Sequence, residues 1–142
     1  CRDEMFFSEK GKGAYLNDTR LRVSGRKKMI ETIYATGLPF AKDTNLIKTT
    51  DDLSRLLPQC AGVRRFGAAA LDLAYVAAGR FDGFWERGLK PWDIAAGLLI
   101  VRESGGLVET IDTNNKLLQD DDIIAGNGQI FEQFSNIIRK KS

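Results

Sequence analysis

Histidine is absent from the 142-residue chain. That absence excludes Ser-His-Asp and Cys-His catalytic arrangements, His-ligated zinc and an imidazole general base. Cysteine is scarce: Cys1 and Cys60 have no CxxC neighbour, which excludes zinc-ribbon and dithiol redox motifs and predicts a reduced, cytoplasmic setting. No run of roughly 18 or more apolar residues occurs, which predicts no membrane-spanning helix. Segment 1–7 has the wrong charge order for a secretory leader. Charge of neither sign dominates. Lys plus Arg number 21 and Asp plus Glu 19, and the resulting net charge of +2 gives no argument for nucleic acid or a membrane surface. The rest is ordinary globular composition, 43% hydrophobic and 28% charged, in a length that fits one domain or part of a larger one. The chain does not begin with Met, so a fragment of a longer protein is one expectation.

The spacing of apolar residues predicts short strands around 5–7 and 14–16, joined by the turn Glu9-Lys10-Gly11-Lys12-Gly13. A further strand is expected where Leu21 and Val23 alternate with Arg20 and Arg22. Three short strands cannot close a core, so they need a larger body to join. The polar run Ser24-Gly25-Arg26-Lys27-Lys28 is the best boundary, dividing 1–28 from 29–142. Beyond it, strands are expected at 32–36, 63–66, 82–86, 107–110 and 123–126. Helices are expected at 43–57, 67–78, 93–104 and 130–138, with Gly37, Pro58, Gly79 and Gly105-Gly106 as stops. In the first helix Leu46, Ile47, Leu53, Leu56 and Leu57 form the apolar positions. Alternating strands and helices predict an α/β layer around a mixed or mainly parallel sheet.

Two helix starts carry the candidate chemistry. In Arg64-Arg65-Phe66-Gly67-Ala68-Ala69-Ala70 a strand gives way to a helix whose first turn is small, so its backbone N–H groups can meet an anion. Arg64 or Arg65 can add a bidentate contact. On these residues alone the stronger reading is that the glycine and alanines let helices pack closely and the arginines are surface charges. In Lys90-Pro91-Trp92-Asp93-Ile94-Ala95-Ala96-Gly97, Asp93 reads by default as an N-cap and Trp92 as a core residue. A carboxylate there also suits Mg²⁺, which takes one or two carboxylates together with substrate phosphate. Glu86 ends a strand, where ligands of α/β sheets gather, and pairs as readily with Arg87 or Lys90 at the surface. Asp120-Asp121-Asp122 reads as a solvated turn. The closing Arg139-Lys140-Lys141 complements a helix C-terminus.

The stretches Gly67-Ala68-Ala69-Ala70-Leu71-Asp72-Leu73-Ala74-Tyr75, Asp82-Gly83-Phe84-Trp85-Glu86 and Pro91-Trp92-Asp93-Ile94-Ala95-Ala96-Gly97, with Glu103-Ser104-Gly105-Gly106 behind them, resemble the C-terminal half of the inositol monophosphatase family. Its bacterial SuhB-like branch is the most similar. The turn Gly11-Lys12-Gly13-Ala14 and the strand end Ala125-Gly126-Asn127 extend the likeness over essentially the whole chain. The resemblance implies the layered α/β C-terminal domain of the sugar phosphatase fold, preceded over 1–28 by the last antiparallel strands of the N-terminal domain. It implies a Mg²⁺-dependent phosphomonoesterase acting on inositol monophosphate or a related polyol phosphate, often a homodimer. Fructose bisphosphate or a nucleotide phosphate is an alternative substrate, and the SuhB-like branch implies RNA polymerase or its factors as alternative partners. It implies Asp93 as a metal ligand that also meets substrate, Glu86 as the acceptor of polyol hydroxyls, and Arg64, Gly67, Ala68 and Ala69 as substrate-lining residues. Ala68 stands where Thr or Ser is frequent, which removes one side-chain hydrogen bond. The family's Asp-Pro-x-Asp-Gly-Thr motif does not occur here. Its metal ligands and water-activating Thr and Glu belong upstream of residue 1, so no catalytic residue is expected within this chain, and alone it is expected to be nearly inactive.

Overall fold

The computed structural model describes residues 3–38, 45–119 and 122–140. Cys1, Pro39, the start of the first predicted helix at 43–44, Asp120, Asp121 and Lys141 lie outside the described residues. Three short strands open the chain: β1 (Phe6–Ser8), β2 (Ala14–Leu16) and β3 (Thr19–Arg20) form an antiparallel sheet of their own. The expected strand through Val23 is cut short. Leu21 donates its N–H to Ala14 and turns into the core, while Val23 donates to Ser104 at 3.0 Å instead of to a strand.

The larger sheet has the order β5-β4-β6-β8-β7. Its strands are β4 (Ile33–Thr36), β5 (Gly62–Arg64), β6 (Gly83–Glu86), β7 (Leu107–Thr110) and β8 (Ile123–Gly126). β4 runs parallel to both β5 and β6, whereas β8 is antiparallel to β6 and β7, so the sheet is mixed. Period-two alternation sorts its buried side chains onto two faces. Ala35, Phe84, Ile123 and Ala125 face α2 (Ala69–Ala77) and α3 (Pro91–Glu103); Tyr34, Trp85 and Ile124 face α1 (Asn45–Leu56) and α4 (Phe131–Ile138). Both faces of the central strands are covered, which explains why β4, β6 and β8 are mostly apolar and buried, whereas β7 at the sheet edge alternates exposed and buried residues. The small sheet leans on α3, and Ala14 and Leu21 enter the same core as α2 and α3.

In α1 and the turn after it the apolar pattern holds at Leu56, which is buried, and at Leu53, which packs against the core, and fails at two other positions. Ile47 is 80% exposed and Leu57 half exposed, while Thr49, Asp52 and Leu56 point inward. Pro58 lies within a single 3-10 turn, Leu57–Gln59, that follows α1. α2 and α3 approach closely at Gly97, where an added Cβ would lie 2.6 Å from Leu73 Cδ1. At that position the small residue serves helix packing.

Candidate functional site

The order of the sheet creates the crevice. From β4 the chain crosses through α1 to β5 on one side, and then through α2 to β6 on the other. The C-terminal ends of these parallel strands part there, which is where an α/β sheet leaves room for a ligand. A cavity of about 590 Å³ opens at this point. Its walls include Gly37 and Leu38 after β4, Arg65 after β5, Gly67–Ala70 at the start of α2, Glu86–Leu89 after β6, and Trp92 and Asp93 on α3.

Five of the six residues singled out from the sequence meet in this cavity: Gly67, Ala68, Ala69, Glu86 and Asp93. Arg64 is not among the lining residues. It is the last residue of β5, and its guanidinium turns back to the Val63 carbonyl at 3.3 Å. Arg65, one residue on, lines the cavity instead.

Each wall follows from local sequence. Gly67 has φ of +79°, a turn that glycine makes at little cost, and it directs the chain into α2. Ala68 is the N-cap of α2 and supplies no side-chain cap, so the first-turn N–H groups beside the cavity have no partner inside the helix. α3 begins at Pro91, where a missing N–H costs nothing. Asp93 therefore occupies the third helical position rather than the N-cap expected above. Its Oδ2 accepts the Lys90 N–H at 3.2 Å, and the residue stays exposed to the cavity. Trp92, expected in the core, is 78% exposed on the cavity rim.

The electrostatics are set by carboxylates. Burial pushes the Glu86 carboxyl up to about 7, and the nearby negative charges of Asp72 and Asp93 add to the rise, against a smaller lowering by Arg65. Glu86 thus sits between its charged and neutral forms near pH 7. Asp72, in the first turn of α2, is fully buried, and neither of its oxygens has a hydrogen-bond partner among the described residues. Burial alone raises its carboxyl to about 6. Sequence reading passed over Asp72, although an acidic residue in so apolar a helix is itself a signal.

Among the described residues no group of three or more His, Cys, Asp or Glu is arranged to hold a metal ion. Asp93 offers a hard oxygen donor at the mouth of the cavity with only one of its oxygens engaged by Lys90. This fits a single protein ligand to Mg²⁺, an ion commonly held by one or two carboxylates with substrate phosphate.

Fold and cavity together define an α/β protein with an uncapped helix start and a carboxylate wall at one crevice. The chain belongs to the inositol monophosphatase family, whose family model matches residues 1–141. It is 46% identical over 138 residues to an inositol-1-monophosphatase of Mesorhizobium japonicum, covering 97% of this chain and 52% of that protein. It is 47% identical over 140 residues to the Nus factor SuhB of Pseudomonas aeruginosa, covering 97% and 52%. Among solved structures, the extragenic suppressor protein suhB of Bartonella henselae superposes with a TM-score of 0.92 at 44% identity, covering 99% of this chain and 54% of that one. An IMPase of Thermotoga maritima follows at 0.87 and 33% identity, covering 98% and 52%. The chain spans about half the length of the relatives it matches. Among the described residues no helix is long and apolar enough to cross a membrane.

Proposed function

We propose that this chain is the C-terminal half of a Mg²⁺-dependent phosphomonoesterase that cleaves inositol monophosphate or a related polyol phosphate. Residues 1–28 complete a preceding domain and 29–142 form the C-terminal one. The observation that carries the reading is the convergence of Glu86, Asp93 and the start of α2 on one cavity at the split between parallel strands. Asp93 would hold the ion together with ligands from the upstream half. When bound, Mg²⁺ supplies Lewis-acid stabilisation of charge on the phosphoryl oxygens.

This chain's own residues bind and orient the substrate, while activation of the attacking water belongs to the upstream half. The first-turn N–H groups of α2, at Ala69 and Ala70, face an anionic oxygen with the positive end of the helix dipole. Glu86 hydrogen-bonds a substrate hydroxyl, as an acceptor when charged and as a donor when neutral. Arg65 adds a positive charge that acts on Glu86 from the β5 side. A wall containing Glu86 and Asp93 with Asp72 behind it disfavours a second phosphate, which supports a neutral polyol over fructose bisphosphate or a nucleotide.

A substrate panel on the full-length protein with Mg²⁺ tests this reading. Release of phosphate from inositol monophosphate at least tenfold faster than from fructose bisphosphate or a nucleoside monophosphate is expected. The reverse order would overturn the substrate assignment. A cytoplasmic homodimer is part of the proposal. The name of the Pseudomonas relative supports a second role beside the transcription machinery. Capture of RNA polymerase that survives Asp93→Asn would separate that role from the phosphatase.

A further inference from the structure

The residues on either side of Glu86 are both tied to one buried carboxylate. Asp52, in α1, is fully buried. Its oxygens accept Arg87 Nε at 3.1 Å and Arg87 Nη2 at 3.0 and 3.1 Å. They also accept the Trp85 indole N–H at 3.2 Å and Arg55 Nη2 at 2.8 Å. The Arg87 side chain is only 10% exposed, and its Nη1 lies 3.6 Å from Asp122. Asp122 in turn accepts the Gly88 N–H at 3.0 Å.

Side chains alternate along an extended strand. Within β6, Phe84 faces α2 and α3 and Trp85 faces α1, so Glu86 emerges on the α2 and α3 face, toward the cavity, with Arg87, just past the strand end, held back on Asp52. Glu86 has little freedom once there. Its Oε1 lies 1.3 Å from where a Cβ on Gly37 would be, so the carboxylate rests directly on the backbone that follows β4.

The hub is a poor source of stability. Burial holds the Asp52 carboxyl above its ordinary range despite two arginines, and buried ion pairs often do no better than apolar residues of the same size. What it supplies is placement. We propose that Asp52 and Arg87 are positioning residues that fix Glu86 against Gly37, and that they act on recognition of the polyol rather than on the phosphate. The claim rests on the functional reading above.

The test uses the full-length protein with Mg²⁺ in two forms, Arg87→Lys and the charge-free pair Asp52→Leu with Arg87→Met. KM for inositol 1-phosphate should rise roughly tenfold in the pair and less in Arg87→Lys, the loss of about one hydrogen bond. Inhibition by inorganic phosphate should stay within about twofold, on the same scale. An unchanged KM, or a parallel weakening of phosphate inhibition, overturns the proposal. Should the unaltered protein turn over no polyol phosphate, the functional reading fails first. A crystal structure of either variant then decides the placement claim: a Glu86 carboxylate moved off Gly37 supports it, and one unmoved overturns it.

Discussion

The Glu86 carboxylate occupies the space that a side chain at Gly37 would need: Oε1 lies 1.3 Å, and the carboxyl carbon 2.1 Å, from an ideal Cβ at that position. Gly37 is therefore small on account of its neighbour across β4 and β6. Gly37→Ala should push Glu86 out of its place and raise KM for a polyol phosphate by about an order of magnitude, with a smaller change in kcat. Steady-state kinetics on the full-length protein check it.

Asp72 carries a stability cost that depends on pH. Its folded value of about 6 lies above the ordinary aspartate value of 3.8, so the folded state holds the proton more tightly than the unfolded chain. Stability is then lost as pH rises from near 4 to near 6, and the loss is complete above 6. Asp72→Asn should raise Tm at pH 7.5, through a stabilisation on the order of 2 kcal/mol or less. The advantage should vanish near pH 4. Thermal denaturation at the two pH values measures it.

The same substitution reaches Glu86. Asp72 is the second cause, after burial, of the upward shift of Glu86 to about 7. Removing that charge should move the Glu86 titration toward lower pH, and with it the midpoint seen in kcat/KM. A pH profile of the full-length Asp72→Asn protein that coincides with the unaltered one would contradict this coupling.

Glu103 ties the opening hairpin to the end of α3. Its two oxygens accept the Gly11 and Gly13 N–H groups at 2.7 and 2.9 Å, which holds its carboxyl below the usual glutamate range. The contribution is present above the ordinary glutamate value and is lost as pH falls through the lower folded one. Hydrogen exchange at Gly11 and Gly13, corrected for intrinsic pH dependence, should therefore accelerate at acid pH, and at neutral pH in Glu103→Ala.

Much of the architecture is legible in the sequence because its signals are local. The strands at Ile33–Thr36 and Ile123–Gly126 are apolar and β-branched, and Gly105, with φ of +86°, stops α3 where the pattern says it should. What escapes the sequence depends on distant partners. Asp52 carries no local signal, and it is buried against Trp85 and Arg87, which lie more than 30 positions away. Trp92 looks like core, yet it stands on the rim of a crevice that only the sheet order creates. Arg65 replaces Arg64 at the cavity because β5 ends at residue 64 and the chain turns there. Asp93 is the third helical residue because Pro91, outside the helix expected at 93–104, begins it. The cavity-lining residues at 67–69, 86 and 93 are within reach of the sequence because strand ends and small helix starts have local signatures.

The most direct measurement is phosphate release from inositol monophosphate by the full-length protein, with and without Mg²⁺, for the unaltered chain and for Asp93→Asn. Activity that needs Mg²⁺ and falls at least a hundredfold in Asp93→Asn, on the order of 3 kcal/mol of transition-state stabilisation, is expected. Full turnover by Asp93→Asn at the same Mg²⁺ concentration would contradict the assignment of this cavity.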